Sequence, residues 1–185
     1  MSQHTQKAIL HTFQEMLRKQ PFDKITVSAL VAKCEVSSNT FYYHYRDIYD
    51  LLDTWLRTIQ DEYVSQIYER ASWQDAMKAL LREMKANSDL VYHLFNSLSR
   101  ERIERYFFES TDDTFCSLVR RATQGVDIPE DVLRAFVEYN SYSFVGFFLK
   151  FLWNNMSEDI DEGVDQVGRM FEANLQGLIE KYKTP

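Results

Sequence analysis

Glycine and proline are nearly missing, with five and three in a chain of 185 residues. Both punctuate strands and turns, so their scarcity excludes a sheet-rich fold with many tight reversals. No stretch alternates apolar and polar residues over a useful length, and strands are not expected. Cysteine is limited to Cys34 and Cys116. Thiols so far apart form neither metal nor redox spacing, and reduced thiols of a cytoplasmic protein are the expectation. Residues 1–20 hold no apolar run of the kind that leads a secreted chain. The greasiest stretch, SFVGFFLKFLW from Ser143 to Trp153, is too short to span a bilayer and is interrupted by Lys150, so no membrane is expected. A Gly-rich phosphate loop, a His/Glu metal motif and a nucleophile elbow are all lacking. The segment EDIDEG at 158–163 is rich in carboxylates but lacks the spacing of a calcium loop. Neither an enzyme nor a cofactor, metal or catalytic residue is expected.

What is present is helical periodicity and an uneven charge. Hydrophobic residues make up 45%, enough for a core without disulfides or metal. The net charge is −7, which argues against nonspecific coating of nucleic acid. Residues 1–50 carry six Lys/Arg, five Asp/Glu and three of the four histidines, whereas the remainder carries 15 basic and 23 acidic residues. A near-neutral head thus sits on an acidic body. Ile9, Phe13, Met16 and Leu17 form one stripe, ended at Gln20-Pro21. Val27, Leu30, Val31 and Cys34 line a short second helix with Thr26 as its N-cap. A third helix is expected over 38–45 behind Ser37, and a long fourth one from Asp47. Further helices are expected from Ser72 to Ala86 with Ser72 and Asp75 as a capping box, then from 87–89, from Arg100 to Thr123 ahead of Gly125, from Pro129 to Asn154, and from Ser157 to Tyr182. The expected fold is all-α, with nine helices.

The second and third helices are short, with a tight turn between them, which is helix-turn-helix spacing. On the third, SSNTFYYHY, Phe41 and Tyr45 share one face and suit a core. Ser38 and Tyr42 share another face, as do Asn39 and Tyr43, and those two point outward. Hydroxyls and phenols can donate to phosphate oxygens without adding net charge, and Asn39 can pair bidentately with adenine. Lys33 and Arg46 are the nearby cations. A helical module that binds only protein is the alternative, separable by a salt-sensitive, palindrome-selective gel shift.

The stretch ITVSALVAKCEVSSNTFYYHYRDIYDLL resembles the N-terminal DNA-binding region of the TetR family of bacterial transcription regulators. Its run FYYHYRDIYDLLDTW looks most like the subgroup related to dihydroxyacetone-kinase regulators. The resemblance implies a DNA-binding domain over 1–47, with Thr26, Ser37, Ser38, Asn39, Thr40, Tyr42, Tyr43 and His44 at positions that commonly touch DNA. It implies a helical effector-binding and dimerisation domain over 48–185, a palindromic operator, an unidentified small-molecule effector and repression as the usual mode. An effector pocket enclosed by the fourth to eighth helices would include Trp55, Tyr63, Tyr92, Phe95, Phe107, Tyr139 and Asn140. Three residues depart from the family pattern: Glu35 where Gly is usual, Val31 where Ala is usual, and Ile48 in place of a phosphate-binding Lys. A reversal as sharp as Cys34-Glu35-Val36 normally uses the left-handed region, so Glu35 is expected at positive φ unless the turn is rebuilt around it.

The last two helices are the greasiest. The eighth is apolar nearly all round and the ninth carries Val164, Val167, Gly168, Phe171, Leu175 and Leu178. Such a helix needs partners on more than one side. A four-helix bundle across a two-fold axis supplies them, and the family resemblance implies the same homodimer. Phe144, Phe148, Phe151, Val164, Val167, Phe171 and Leu175 are the expected interface residues. Gly163, Gly168 and Gly177 would be explained by close helix approach.

Overall fold

The structure, a computed structural model, describes residues 2–69 and 72–183. Among the described residues there are nine α-helices, one 3-10 turn and no strand. The helices are α1 (Ser2–Leu17), α2 (Val27–Cys34), α3 (Ser38–His44), α4 (Ile48–Glu69), α5 (Trp73–Ala86), α6 (Ser88–Phe95), α7 (Arg100–Ala122), α8 (Glu130–Trp153) and α9 (Ile160–Tyr182). Their ends follow local chemistry. Thr26 Oγ1 accepts from the Ala29 amide at 3.2 Å and Ser37 Oγ from the Thr40 amide at 3.0 Å, the side-chain caps of α2 and α3. Asp47 Oδ1 accepts from the amides of Tyr49 (2.8 Å) and Asp50 (2.9 Å) and so starts α4. Ser72 and Asp75 bond reciprocally in front of α5. Gly125 has φ +85° just beyond α7. The last helix opens two residues later than Ser157, because Asp159 is its cap and accepts from the Glu162 amide at 2.9 Å. The intervening reversal uses Asn155 and Met156, both at φ 54°, with Met156 buried.

The helices gather into two compact units, Met1–Tyr68 with Glu83–Arg100, and Glu69–Arg82 with Glu101–Pro185. The first unit has one continuous core: Ile9, Phe13, Met16 and Leu17 of α1, Leu30 and Val31 of α2, Phe41 and Tyr45 around α3, Leu51, Leu52 and Trp55 of α4, and Leu90 of α6. The ring of Phe13 meets Phe22 and Trp55 edge-on at 6.1 and 6.0 Å. The aromatic edges and the buried aliphatics supply the apolar area that holds three short helices in one geometry.

The second unit is centred on aromatic rings. Phe171 of α9 packs against Phe115 (5.4 Å), Trp73 (5.8 Å), Phe136 (6.1 Å) and Phe144 (6.2 Å). Phe107 stacks on Phe148 at 5.3 Å. At Gly168 a Cβ would lie 3.2 Å from Gln74 and 3.4 Å from Trp73, so α9 passes close to α5 there. At Gly163 a Cβ would lie 3.0 Å from the Phe147 ring. Gly177 faces open space, and close approach inside the chain does not account for it. Among the described residues no helix is long and apolar enough to cross a membrane.

Candidate nucleic-acid interface

The geometry of α3 follows from its period. Phe41 is fully buried and Tyr45 is 2% exposed, and the two hold the helix on the first unit's core. Burial raises the Tyr45 phenol above its usual range. Tyr42 and Tyr43 are 57% and 80% exposed, which is unusual for side chains of this size. Ser38 and Asn39 are exposed one turn earlier, at the N-terminus of the same helix. Thr40 is half-buried and its hydroxyl bonds Ser37 Oγ at 2.8 Å. His44 is half-buried, edge-on to Tyr43 at 5.0 Å.

The same unit presents two capped helix N-termini whose first-turn amides add partial positive charge. Thr26, which caps α2, is exposed and bonds Ser28 Oγ at 3.0 Å, and Ser37, which caps α3, is exposed too. Lys33 is exposed in the last turn of α2. The Arg46 side chain is 85% exposed and lies 3.4 Å from Asp50. The Arg46 backbone amide, then its guanidinium, hold the Asp50 carboxyl below the usual carboxylate range. Ile48 is half-buried and packs against the core, so the position where the family usually has a phosphate-binding lysine is turned to packing instead.

The turn between α2 and α3 is set by Glu35 at φ 56°, ψ 36°. The Val36 amide donates to the Val31 carbonyl at 3.1 Å and the Glu35 amide to the Ala32 carbonyl at 3.4 Å. That pair of bonds closes a Schellman motif with a side chain where glycine is the easy choice. The expected left-handed residue is there.

The seven residues expected in a pocket fall into both units. Trp55 is buried in the first unit's core against Phe13, and in the same unit Tyr92 and Phe95 are half-buried and edge-on at 6.4 Å. Tyr63 is half-buried as well, and burial pushes its phenol upward. In the second unit Phe107 stacks on Phe148, Tyr139 is 63% exposed, and Asn140 is buried with Nδ2 donating to the Phe136 carbonyl at 2.7 Å. Ser141, beside Asn140, is buried with no hydrogen-bond partner for its hydroxyl among the described residues.

Of the seven side chains expected between subunits, Phe144, Phe148, Phe151, Val164 and Phe171 are buried inside the second unit itself. Val167 and Leu175 are half-buried. The physical reason is that α7 and α5 supply the partners that the greasy face needs, as the ring contacts of Trp73, Phe107 and Phe115 show. The open face of α8 and α9 is another one: Tyr139, Tyr142, Gly146 and Trp153 on α8, Met170, Ala173 and Gly177 on α9. None of these is among the seven residues expected between subunits, although Gly177 was expected at a point of close approach. The spacing of 139, 142, 146 and 153 places those residues on one helical face. At Gly146 and Gly177, on the same two helices, an added Cβ would meet nothing within 4 Å.

Comparison with known proteins follows the same division. The family described as "Bacterial regulatory proteins, tetR family" matches residues 9–54, and the one described as "Transcriptional regulator C-terminal region" matches residues 71–173, more than half of the chain. No curated protein matches by sequence. Among solved structures the chain is similar to the dihydroxyacetone kinase operon activator DhaS, with TM-score 0.71, 15% identity, and coverage of 94% of this chain and 97% of that one. It is similar to a TetR transcriptional regulator from Streptococcus agalactiae, with TM-score 0.65, 20% identity, and coverage of 92% and 94%. It is also similar to NalD, the secondary repressor of the MexAB-OprM multidrug efflux pump in Pseudomonas aeruginosa, with TM-score 0.54, 14% identity, and coverage of 94% and 97%. At such identities these likenesses speak for the fold. With the two family matches spanning the helix-turn-helix and most of the helices after it, the chain belongs to the TetR family and is a DNA-binding transcriptional regulator.

Proposed function

We propose that residues 1–47 read a palindromic operator as one half of a homodimer, and that residues 48–185 carry the dimer contacts and the response to a small-molecule effector. The observation that carries this reading is the outward face of α3, with Ser38, Asn39, Tyr42 and Tyr43 exposed while Phe41 and Tyr45 anchor the helix behind them. Asn39 reads a base edge. Thr26, Ser37, Thr40, Tyr42, Tyr43 and His44 hold phosphates or orient those that do, with Lys33 and Arg46 as the charged contacts. Phenols and hydroxyls in place of lysines suit an acidic chain that must leave nonspecific DNA easily.

A two-fold operator needs a two-fold protein. The exposed face of α8 and α9 is the candidate surface, and it carries large apolar side chains next to glycines that leave room for a second backbone. A shallow hollow of 370 Å³ lies on α9 along Gln166, Arg169, Met170, Ala173 and Asn174. In this reading Phe144, Phe148, Phe151, Val164 and Phe171 support the surface from behind, and Val167 and Leu175 flank it. Effector binding draws on the aromatic side chains and on the buried polar pair Asn140 and Ser141. Repression is the proposed sign, since a dimer seated on its operator excludes the polymerase, and the protein works in the cytoplasm beside its DNA.

Selection of bound duplexes from a random library tests this. Recovered sites should contain inverted repeats with half-sites about 34–36 Å apart or a multiple of that. Binding should weaken only modestly with salt, since Lys33 and Arg46 are the charged contacts of each subunit. Recovery of unrelated single sites with no symmetry would contradict the dimeric reading.

A further inference from the structure

A helix of seven residues has little surface with which to fix its own orientation. α3 rests on the first unit's core through Phe41 and Tyr45, one turn apart on one side. Their rings meet at 5.5 Å, and the Tyr45 amide donates to the Phe41 carbonyl at 2.9 Å where the helix ends. Apolar contact is non-directional, so two rings resist withdrawal of α3 more than its roll about its own axis. A hydrogen bond is directional and resists such a roll. Phenylalanine would give the same apolar contact as Tyr45, yet the chain buries a hydroxyl there.

Tyr45 Oη has no hydrogen-bond partner of full geometry among the described residues. Buried polar groups are nearly always paired, and an orphan is destabilising. Burial raises the phenol, the Gln6 side chain of α1 offsets part of that rise, and the Asp50 charge adds to it. Asp50 is already engaged by Arg46, through the backbone amide at 2.9 Å and the guanidinium at 3.4 Å. Gln6 is therefore the side chain that acts on Oη, without closing a bond of good geometry in the free chain. It is half-buried and stands three and seven residues before Ile9 and Phe13, so it shares the core-facing side of α1.

We propose that Tyr45 and Gln6 are a positioning pair for base reading, whose bond closes when α3 seats on DNA and then fixes the roll of that helix against α1. This rests on the reading of α3 as the helix that touches DNA, and adds what holds its angle. Asn39 is exposed on the far side of α3 from Phe41 and Tyr45. A roll of the helix swings its amide off a base edge, and a bidentate pair weakens steeply once misaligned. Phosphate contacts carry no base information. The pair therefore acts on discrimination between sequences rather than on attachment to DNA at large.

The test compares wild type, Tyr45→Phe, Gln6→Ala and the double variant. Each is measured for affinity to a duplex that the wild type selects from a random library, for affinity to an unrelated duplex of equal length, and for Tm without DNA. Tyr45→Phe should melt no lower than wild type, because the hydroxyl it removes has no full partner in the free chain. Its affinity for the selected duplex should fall about two- to tenfold, the usual net worth of one hydrogen bond, with the unrelated duplex unchanged. Gln6→Ala should show the same loss on the selected duplex, and the double variant should lose no more than either alone, the mark of one shared bond. A wild-type ratio of selected to unrelated affinity in Tyr45→Phe would overturn the proposal, as would losses that multiply in the double variant. Equal losses on both duplexes, or coupling seen in Tm and not in affinity, would make the pair a support of the fold alone and overturn it too. If the wild type selects no duplex, the DNA-binding reading falls and this inference with it.

Discussion

Replacing Glu35 by glycine should stabilise the protein, although it removes a side chain. Glu35 sits at φ 56°, ψ 36°, in the left-handed region. A Cβ there costs about 1–2 kcal/mol relative to glycine. The side chain gives nothing back, being exposed and free of ion pairs among the described residues. Its negative charge also lies at the C-terminus of α2, where an anion opposes the helix dipole by roughly 0.3–1 kcal/mol at low salt. Against these gains stands the freer unfolded chain that glycine brings, about 0.4–1 kcal/mol. The balance is a gain of about 0.3–2.6 kcal/mol. For a chain of this length that amounts to a rise of roughly 1–10 °C in Tm. Scanning calorimetry of Glu35→Gly beside Glu35→Ala separates the causes. Alanine removes the charge but keeps the strained Cβ, so it should recover only the smaller, salt-sensitive part. A fall in Tm for Glu35→Gly, or an equal rise for both variants, would refute the strain argument.

Phe171→Ala should cost about 3–5 kcal/mol in urea unfolding, because four rings lose a shared neighbour in a packed core. Phe171→Glu should therefore misfold, and a well-folded monomer in sedimentation would contradict its placement inside the unit. Met170→Glu, on the exposed face, should instead give a folded monomer with an unchanged helical circular dichroism spectrum. An unaltered dimer would move the interface elsewhere. Asp50 has its folded pKa lowered by Arg46, so its contribution is present above the ordinary carboxylate range and is lost as pH falls through the lowered value. Asp50→Asn should thus be less stable than wild type near neutrality, with a difference that shrinks below about pH 4. A difference constant across pH would contradict the assignment.

The helices were legible because each is announced locally. Thr26, Ser37, Asp47 and Ser72 stand where their side chains cap, and the apolar spacing of three and four residues runs through each helix between them. The two sides of α3 were legible for the same reason, since Phe41 and Tyr45 fall on one stripe and Tyr42 and Tyr43 off it. The strained turn was legible because one residue between the end of α2 and Val36 favours the left-handed region, and the family pattern has glycine at that place; of the two routes left open, positive φ at Glu35 is the one found. Ser157 misled because serine and aspartate cap equally well, and the choice of Asp159 depends on the left-handed pair Asn155 and Met156 that precedes it. On α8 the period carried no allocation. A helix apolar on nearly every side does not say which side meets its own chain, and contacts with Trp73, Phe107 and Phe115 from distant segments decided it. The gathering of α6 with the first unit was equally out of reach, since it depends on Leu90, Leu94 and Leu98 meeting a core made by distant helices and on the His93 bond to the Leu17 carbonyl 76 positions away.

Parallel selection from one random duplex library, with wild type, Asn39→Ala and Tyr42→Phe, tests the assignment of α3 as the reading helix most directly. The account predicts that Tyr42→Phe recovers the same sites at lower affinity, because a lost phosphate contact carries no base information. Asn39→Ala should recover sites whose preference is relaxed at an adenine, by about 1–3 kcal/mol of discrimination. Unchanged preference in Asn39→Ala, together with altered preference in Tyr42→Phe, would contradict it.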